Sequence, residues 1–425
     1  MHPTPPLHPY HIDFVGNGLR AVPGQHTGWP LRYQRYCGTD KINFTQYFPF
    51  FRFGGTIQEI SCFGVIFLTI NQIIMYIIAF GALLGGADRM LGNRFGYGEK
   101  FENGFRMLGP VGLSMAGIIC LAPVLSALLG SVARPLFTAM GLDAGILGSI
   151  LAIDMGGYQL SLDLASDPAI GMYSAVVVSS IFGCTIVYNI PVGLGFIGEE
   201  DRPHFTRGIL LGLTAMPFAI VAGGLVMGLS ILSILWNSLP ILLISALLAL
   251  GVIKKPDAMM KGFQGFARII KIVATFGLAV AAFTHLTGIT VLPMMPPLQD
   301  AMKTVSSICI VMLGSMPLAE LIQRLMKVPF QWIGEKTGLN GASTTALLLG
   351  LVSATPALAM IPEMNKRGKV VISAALVSCV CTFGAHFAFT NTVAPELVPA
   401  LLTAKLTGCF LGLVIGLLAT RRETE

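Results

Sequence analysis

Asp154 is the residue whose type and position first suggest chemistry in this sequence. It lies in the run Leu151-Ala152-Ile153-Asp154-Met155-Gly156-Gly157-Tyr158-Gln159, an apolar stretch that two glycines interrupt. A charged side chain at the centre of a membrane helix costs about 2.5–3.5 kcal/mol on insertion scales, so such residues usually face a cavity or a partner. Irregular backbone at that depth is tolerated only where protein or water covers it. Charge and interruption together predict a binding site.

An ionised Asp154 could pair with a cationic substrate or a coupling cation. At about 4 Å and an effective dielectric of about 20, that pair is worth about 4 kcal/mol before desolvation. Alternatively, the carboxylate caps a half-helix by accepting backbone N–H bonds, and the two roles are compatible. Gly156 and Gly157 would let backbone groups approach a ligand, or would serve close helix packing.

Other polar residues in the apolar segments are candidates for the same site. Tyr158 and Tyr188 offer a ring face to a cation or a hydroxyl to a partner, although packing is the commoner role. Asn189 and Asn391 match each other in an internal repeat, and each can donate and accept. His386 could relay protons or bond the substrate, or it is a hydrogen-bonded packing residue.

Thr355 and Pro356 predict a second interruption of a helix. Proline removes a donor and frees a carbonyl, which could accept from an ammonium or hydroxyl group; a plain kink is the alternative. An enzyme in this setting would need a metal cluster or an acid–base pair. The sequence has no HExxH motif, and its intramembrane His and Asp are single. We therefore expect no metal, no cofactor and no enzymatic activity.

The composition predicts that membrane helices position these residues. The chain has 425 residues, 54% hydrophobic and 11% charged, with a mean hydropathy of +0.75. A soluble domain carries about 25% charged residues, so we expect an all-α polytopic protein in a lipid bilayer. The net charge of +6 is spread over loops and gives no reason to expect nucleic acid.

Eleven apolar segments follow one another from Ile66, and most reach the ~20 residues that cross the hydrocarbon. Residues 1–65 differ, because they are rich in proline and aromatic residues and show no periodic pattern. We expect them to be poorly ordered, and one hypothesis is an over-extended start with the natural one near Leu68. The predicted segments are 66–87, 107–130, 144–163, 170–197, 207–232, 234–253, 265–287, 304–326, 341–362, 369–394 and 397–420.

The segments also form an internal repeat, because residues about 194–202 positions apart match in an ordered series. Chance similarity among membrane helices would give scattered matches instead. The sequence predicts repeat 1 at 66–232, a linking helix and cytoplasmic loop at 233–260, repeat 2 at 261–420 and a cytoplasmic tail at 421–425. The matches include Phe80-Gly81 with Phe276-Gly277, Gly141-Leu142-Asp143 with Gly338-Leu339-Asn340, Ser174-Ala175 and Ser179 with Ser373-Ala374 and Ser378, and Gly183 and Asn189 with Gly384 and Asn391.

Basic loops predict the topology, because lysine and arginine favour the cytoplasmic side. Eleven full crossings would leave several basic loops outside. If the third and ninth segments enter and leave on one side, every strongly basic loop falls inside. The result is nine crossings, an outside N-terminus, a cytoplasmic C-terminus, and two inverted repeats of about five segments each. Broken or re-entrant segments are then expected near 148–163 and 345–362.

Six short motifs in the apolar part of the chain occur together. They are Ile73-Ile74-Met75-Tyr76-Ile77, Ala122-Pro123-Val124-Leu125, Asp154-Met155-Gly156-Gly157, Thr185-Ile186-Val187-Tyr188-Asn189-Ile190-Pro191-Val192, Gly262-Phe263-Gln264 and Arg367-Gly368-Lys369-Val370. With these motifs the sequence resembles, over roughly residues 69–420, the ethanolamine permease family of bacterial ethanolamine-utilisation operons, of the EutH type. The resemblance implies uptake of ethanolamine across the inner membrane, which feeds a cobalamin-dependent ammonia-lyase pathway housed in a microcompartment.

Two positions depart from the pattern that the family leads us to expect. Gly384-Ala385-His386 stands in place of Gly-Asp-His, and Ala354-Thr355 stands before Pro356 in place of an asparagine pair before Ile-Pro. If those residues contact the substrate, the protein binds another amine, or binds ethanolamine more weakly.

The sequence therefore predicts a permease that takes up ethanolamine as its ammonium form, by facilitated diffusion or secondary transport. The alternative is cation-coupled transport of another small amine or an amino acid. The oligomeric state stays open, and a homo-oligomer is compatible with the sequence. The predicted substrate-binding residues are Asp154, Gly156, Gly157, Tyr158, Tyr188, Asn189, Thr355, Pro356, His386 and Asn391.

Overall fold

The computed structural model describes residues 57–151 and 156–421, all within one unit of the chain, Phe53–Glu425. Every regular element in these residues is a helix, and seven of the helices are long and apolar enough to cross a membrane. The prediction of an all-α polytopic membrane protein is confirmed. Of the segment 1–65, only the part from Ile57 onward is described, and it forms the start of the first helix.

We number the helices in chain order. The fifth helix is largely π-helical, over Tyr173–Gly183 and Thr185–Asn189. The helices are α1 Ile57–Met90, α2 Tyr97–Ala139, α3 Ile146–Ile150, α4 Gly157–Leu164, α5 168–196, α6 Arg202–Val226, α7 Ile231–Lys254, α8 Pro256–Thr287, α9 Leu298–Thr337, α10 Gly341–Gly350, α11 Ala354–Ala359, α12 Lys366–Cys379, α13 Ala385–Val393 and α14 Val398–Ala419.

Four long helices cross in two pairs at glycines. Helix α1 crosses α9 where Gly81 meets Gly314, and α2 crosses α8 where Gly117 meets Gly277. A Cβ atom at any of the four would collide with a carbonyl oxygen of the partner helix. Gly81 and Gly277 are a predicted repeat pair, and Gly117 and Gly314 stand at nearly the same spacing. Each crossing therefore joins a helix of one repeat to a helix of the other, and an exchange of the two repeats converts one crossing into the other, as a two-fold axis does. The inverted orientation of the two repeats stays a prediction.

Helix α12 lies in the buried centre, where α6, α12 and α14 pack on one another. Gly208 and Gly212 bring α6 against the α12 backbone, and Gly412 and Gly416 do the same for α14. Residues spaced by four lie on one face of a helix, so each helix presents a stripe of small residues that lets backbones approach closely. The whole of α12 from Gly368 onward is consequently buried.

The segment 143–167, which we call hairpin A, is closed by one carboxylate. Asp143 is buried and accepts the N–H of Ser166 at 2.9 Å and that of Asp167 at 2.7 Å. The first and last residues of the hairpin therefore lie together, so the segment does not continue across the bundle. Helix α3 ends at Ile150 and Leu151 lies in a turn, which agrees with the break predicted near 148–163.

The segment 340–365, which we call hairpin B, is closed by two amides. The Asn340 side chain donates to the carbonyl of Glu363 at 3.0 Å, and the Asn365 side chain donates to the carbonyl of Gly338 at 2.8 Å. Asn340 is the predicted repeat partner of Asp143, so equivalent positions close both hairpins.

The interruption of hairpin B corrects the position of the predicted break. It falls at 351–353, between α10 and α11, whereas Thr355-Pro356 was expected to form it. Pro356 instead lies in the first turn of α11, which begins at Ala354. The first turn of a helix has no intrahelical use for the N–H that proline lacks, so the ring is tolerated there.

The tenth predicted segment, 369–394, is a second correction, because it is not one continuous helix. Helix α12 ends at Cys379 and α13 begins at Ala385. Cys381 between them has a φ of 57°, a left-handed conformation that non-glycine residues rarely adopt. The reason for the interruption is tertiary and is described with the site below.

Candidate functional site

The interruption after α12 packs on the interruption of hairpin B through main-chain atoms. The Cys381 N–H donates to the Gly350 carbonyl at 2.9 Å, and the Phe383 N–H donates to the Leu351 carbonyl at 2.8 Å. Gly384 lies so close to the Val352 carbonyl that a Cβ atom would collide with it. These bonds satisfy backbone groups that the broken helices leave open, as burial requires.

Tyr188 and Thr355 are in contact next to these packed interruptions, and each comes from a different repeat. Their hydroxyl oxygens are 2.5 Å apart, and both side chains are exposed. Tyr188 lies on α5 and Thr355 in the first turn of α11, beside Pro356. The structure thus brings together three of the predicted site residues, separated by 167 positions in the chain.

Asn189 follows Tyr188 but points into the protein. Its side-chain amide donates to the Leu376 carbonyl of α12 at 3.2 Å, and the neighbouring Thr185 hydroxyl donates to the Val377 carbonyl at 2.8 Å. Both groups fasten α5 to α12. Asn189 therefore has a packing role in this structure, and its predicted contact with substrate stays a prediction.

Tyr158 fastens hairpin A to α13. Its ring meets Phe389 edge to face, with 5.4 Å between the centroids, and its hydroxyl donates to the Val393 carbonyl at 3.4 Å. Gly156 and Gly157, at the start of α4, are buried. Asp154 lies outside the described residues, just before them in the chain.

His386 and Asn391 are both buried on α13. Within the described part of the chain, the Asn391 Oδ1 atom has no hydrogen-bond partner. Buried polar atoms are nearly always paired, so this acceptor is available to a ligand or a water molecule. The two repeat-related asparagines, Asn189 and Asn391, consequently differ: the first is engaged by α12 and the second keeps a vacant acceptor.

A small cavity between α5 and α13 lies beside His386. Sequence reasoning singled out His386 but missed the other polar residues of the cavity, although Ser179 belonged to the repeat matches and so carried a signal. The lining residues are Ala175, Val176, Ser179, Ser180, His386, Phe389 and Thr390.

Lys405 is the second group that sequence reasoning missed. It lies on α14, is 1% exposed, and donates to the carbonyls of Ser180 at 2.8 Å, Val380 at 2.9 Å and Ser378 at 3.3 Å. The signal was available, because a lysine inside the predicted segment 397–420 is an intramembrane charge of the kind that singled out Asp154.

No group of three His, Cys, Asp or Glu residues in 57–151 and 156–421 is arranged to hold a metal ion. Six cysteines are free, and all of them but Cys381 are buried: Cys120, Cys184, Cys309, Cys379, Cys381 and Cys409. In the part of the chain that the structure describes, the candidate site offers hydroxyls, amides, main-chain groups, the His386 imidazole and the Lys405 ammonium.

Long apolar helices, two hairpins that close on themselves and interruptions that meet in the centre define a multi-pass membrane protein with the parts of a transporter. The chain belongs to the family described as "Ethanolamine utilisation protein, EutH", whose model matches residues 70–419. The resemblance found in the sequence is thereby confirmed.

Curated relatives agree with that family. "Probable ethanolamine permease EutH" of Listeria monocytogenes is 37% identical over 332 residues, which cover 78% of this chain and 89% of that protein. "Uncharacterized protein YxeR" of Bacillus subtilis is 39% identical over 335 residues, 79% and 90% of the two chains. "Probable ethanolamine permease EutH" of Salmonella typhimurium is 34% identical over 359 residues, 75% and 88%. The names of the Listeria and Salmonella proteins describe a permease rather than an enzyme. No solved structure matches the chain.

Proposed function

We propose that the protein takes up ethanolamine as its ammonium ion across the bacterial inner membrane, by facilitated diffusion or secondary transport. The printed names of the Listeria and Salmonella relatives support the substrate. A primary amine is largely protonated at neutral pH, as lysine is with its reference pKa of about 10.4. The charged form does not cross lipid unaided, which gives a permease its task.

The observation that carries the proposal is the contact between Tyr188 and Thr355. It joins α5 of the first repeat to hairpin B next to the interruption of hairpin B, and both residues are exposed. A hydroxyl both donates and accepts. This pair therefore has the chemistry to accept from an ammonium N–H and to bond the hydroxyl of ethanolamine.

In this proposal Asp154 supplies the counter-ion, and the start of α4 at Gly156 and Gly157 supplies main-chain groups. His386 and the open Oδ1 of Asn391 offer the remaining polar contacts on α13. Asn189 holds α5 on α12, so its contribution is to position Tyr188 beside Thr355.

Alternating access would come from motion of one repeat-derived bundle against the other, with the repeats inverted, the N-terminus outside and the C-terminus in the cytoplasm. An exchange of the two repeats converts the α1–α9 crossing into the α2–α8 crossing, which supports a two-fold relation between the repeats. Hairpins A and B each bring their own two ends together, and this supports a chain with two re-entrant segments.

Uptake of labelled ethanolamine into proteoliposomes tests the proposal. We expect Asp154→Asn to reduce uptake by about tenfold or more, since each 1.4 kcal/mol of lost pairing is a factor of ten. The matched control is Asp163→Asn on the same hairpin, because Asp163 already accepts from Gln159 at 2.8 Å. Undiminished uptake by Asp154→Asn would remove the counter-ion role.

The alternative substrate class is tested in the same vesicles. Competition by other small amines and by amino acids, each with and without an imposed cation gradient, ranks the substrates. Absence of ethanolamine uptake by the unaltered protein, together with uptake of another amine, would overturn the substrate and keep the transporter.

A further inference from the structure

Three main-chain oxygens that accept from the Lys405 ammonium belong to both repeats. Ser180 lies in α5 of the first repeat, whereas Ser378 and Val380 lie at the end of α12 in the second. Ser378 is the repeat partner of Ser179, so the three carbonyls come from nearly equivalent positions. The ammonium therefore sits where the two related helices face each other, at the middle of the bundle.

The carbonyls of Ser378 and Val380 make this a cation site. They belong to the last turn of α12 and the first residue beyond it, where orphan carbonyls give a helix end its partial negative charge. Helix ends and unwound carbonyls of this kind coordinate the coupling cation in secondary transporters with interrupted helices.

The geometry also fits a charged amine rather than a neutral one. An ammonium group donates and has no acceptor, and three carbonyl oxygens lie 2.8–3.3 Å from it here. A neutral amine would turn a lone pair towards one of these oxygens.

We propose that the Lys405 ammonium is a built-in cation, which occupies a cage of carbonyl oxygens that would otherwise take up a mobile monovalent cation. The cage links α5, α12 and the interruption after α12. Because the Lys405 ammonium always fills it, these elements are held together without an ion from solution. As far as transport is concerned, this inference rests on the proposed function: uptake would then need no sodium gradient.

Chemical rescue tests the cage independently of transport. Lys405→Ala removes the propylammonium part of the side chain and leaves the cage open, whereas Lys405→Met fills the same space with an apolar chain. Thermal unfolding of both variants and of the unaltered protein is measured in detergent, in chloride salts of sodium, potassium and propylammonium at equal ionic strength.

We expect Lys405→Ala to unfold at a lower temperature and to recover on the order of 2 °C or more in propylammonium, beyond any shift of the other two proteins. Additional recovery in sodium or potassium would show that the open cage accepts a metal ion. Equal responses of Lys405→Ala and Lys405→Met to every salt would overturn the proposal.

A second experiment uses the unaltered protein. In proteoliposomes its initial uptake of ethanolamine should be the same with inward sodium as with inward potassium, and its unfolding temperature should be the same in both salts. Stimulation by sodium in either measurement would overturn the built-in cation. Absence of ethanolamine uptake would instead count against the substrate, and the unfolding measurements would still decide the cage.

Discussion

The two ends of hairpin A and the two ends of hairpin B are held together by different side-chain chemistry. Hairpin A is closed by Asp143, an acceptor-only group that gathers N–H donors from both of its ends, including the Gly145 N–H at 2.7 Å. Hairpin B is closed by Asn340 and Asn365, which accept from their own helix starts and donate across to carbonyls. One closure therefore depends on a single buried charge, and the other is shared between two neutral groups.

The hairpins also reach the opposite repeat differently. Hairpin A meets α13 chiefly through the rings of Tyr158 and Phe389, whereas hairpin B meets α5 through the hydroxyls of Tyr188 and Thr355. Packing positions the first contact and hydrogen bonding positions the second. The polar contact is the one suited to bind and release a ligand.

Removal of the Asp143 carboxylate should have the largest effect on this comparison. Asp143→Ala leaves three backbone N–H groups without their charged acceptor, so we expect a loss of about 3 kcal/mol or more in the free energy of unfolding. Unfolding in detergent measures it. The control is Asp300→Ala, because Asp300 pairs with Lys303 on an exposed surface and such pairs contribute about 0–1 kcal/mol. Equal losses would show that the charge does not close hairpin A.

A smaller effect is expected in hairpin B. Asn340→Asp keeps the oxygen that caps the Ser343 N–H but loses the donor to the Glu363 carbonyl. We expect a loss of about 1–2 kcal/mol, since one bond is removed and an oxygen now faces an oxygen. Asn365→Asp is the matched variant at the other end and should cost about as much. A cost as large as that of Asp143→Ala would contradict the shared closure.

The smallest effect concerns the contact between Tyr188 and Thr355. In a double-mutant cycle of Tyr188→Phe and Thr355→Val, we expect a coupling energy of about 0.5–1.5 kcal/mol in the free energy of unfolding. If the pair binds substrate, both single variants also raise KM for uptake. Strict additivity of the two substitutions would mean that the hydroxyls do not support each other.

Much of the scaffold could be predicted, because its signals are local. Gly141 and Gly338 were matched in sequence, and both have positive φ at the ends of α2 and α9, followed by equivalent bonds from Leu142 and Leu339. Asp143 and Asn340 were matched as well, and both close a hairpin. Hydropathy and the repeat together define these positions without knowledge of the fold.

The interruption at 380–384 and the role of Lys405 could not be predicted in the same way. The residues Val380-Cys381-Thr382-Phe383-Gly384 contain no proline and only one glycine, so they read as a continuing membrane helix. They form turns instead of helix because Gly350 and Leu351 offer them carbonyls, a contact that only the folded chain creates. Asn189 likewise was read as a binding residue, because its bond to α12 is invisible in sequence.

The joint between the interruptions has a consequence for how this protein can change over time. Its two hydrogen bonds use only peptide groups, so they do not depend on the side chains there. Gly384, which has no room for a methyl group, and Cys381, whose φ of 57° disfavours β-branched residues, are the constrained positions. Under the proposed function, exchange of Ala385 or Thr355 for other residues would therefore change the amine that binds and leave these main-chain bonds in place.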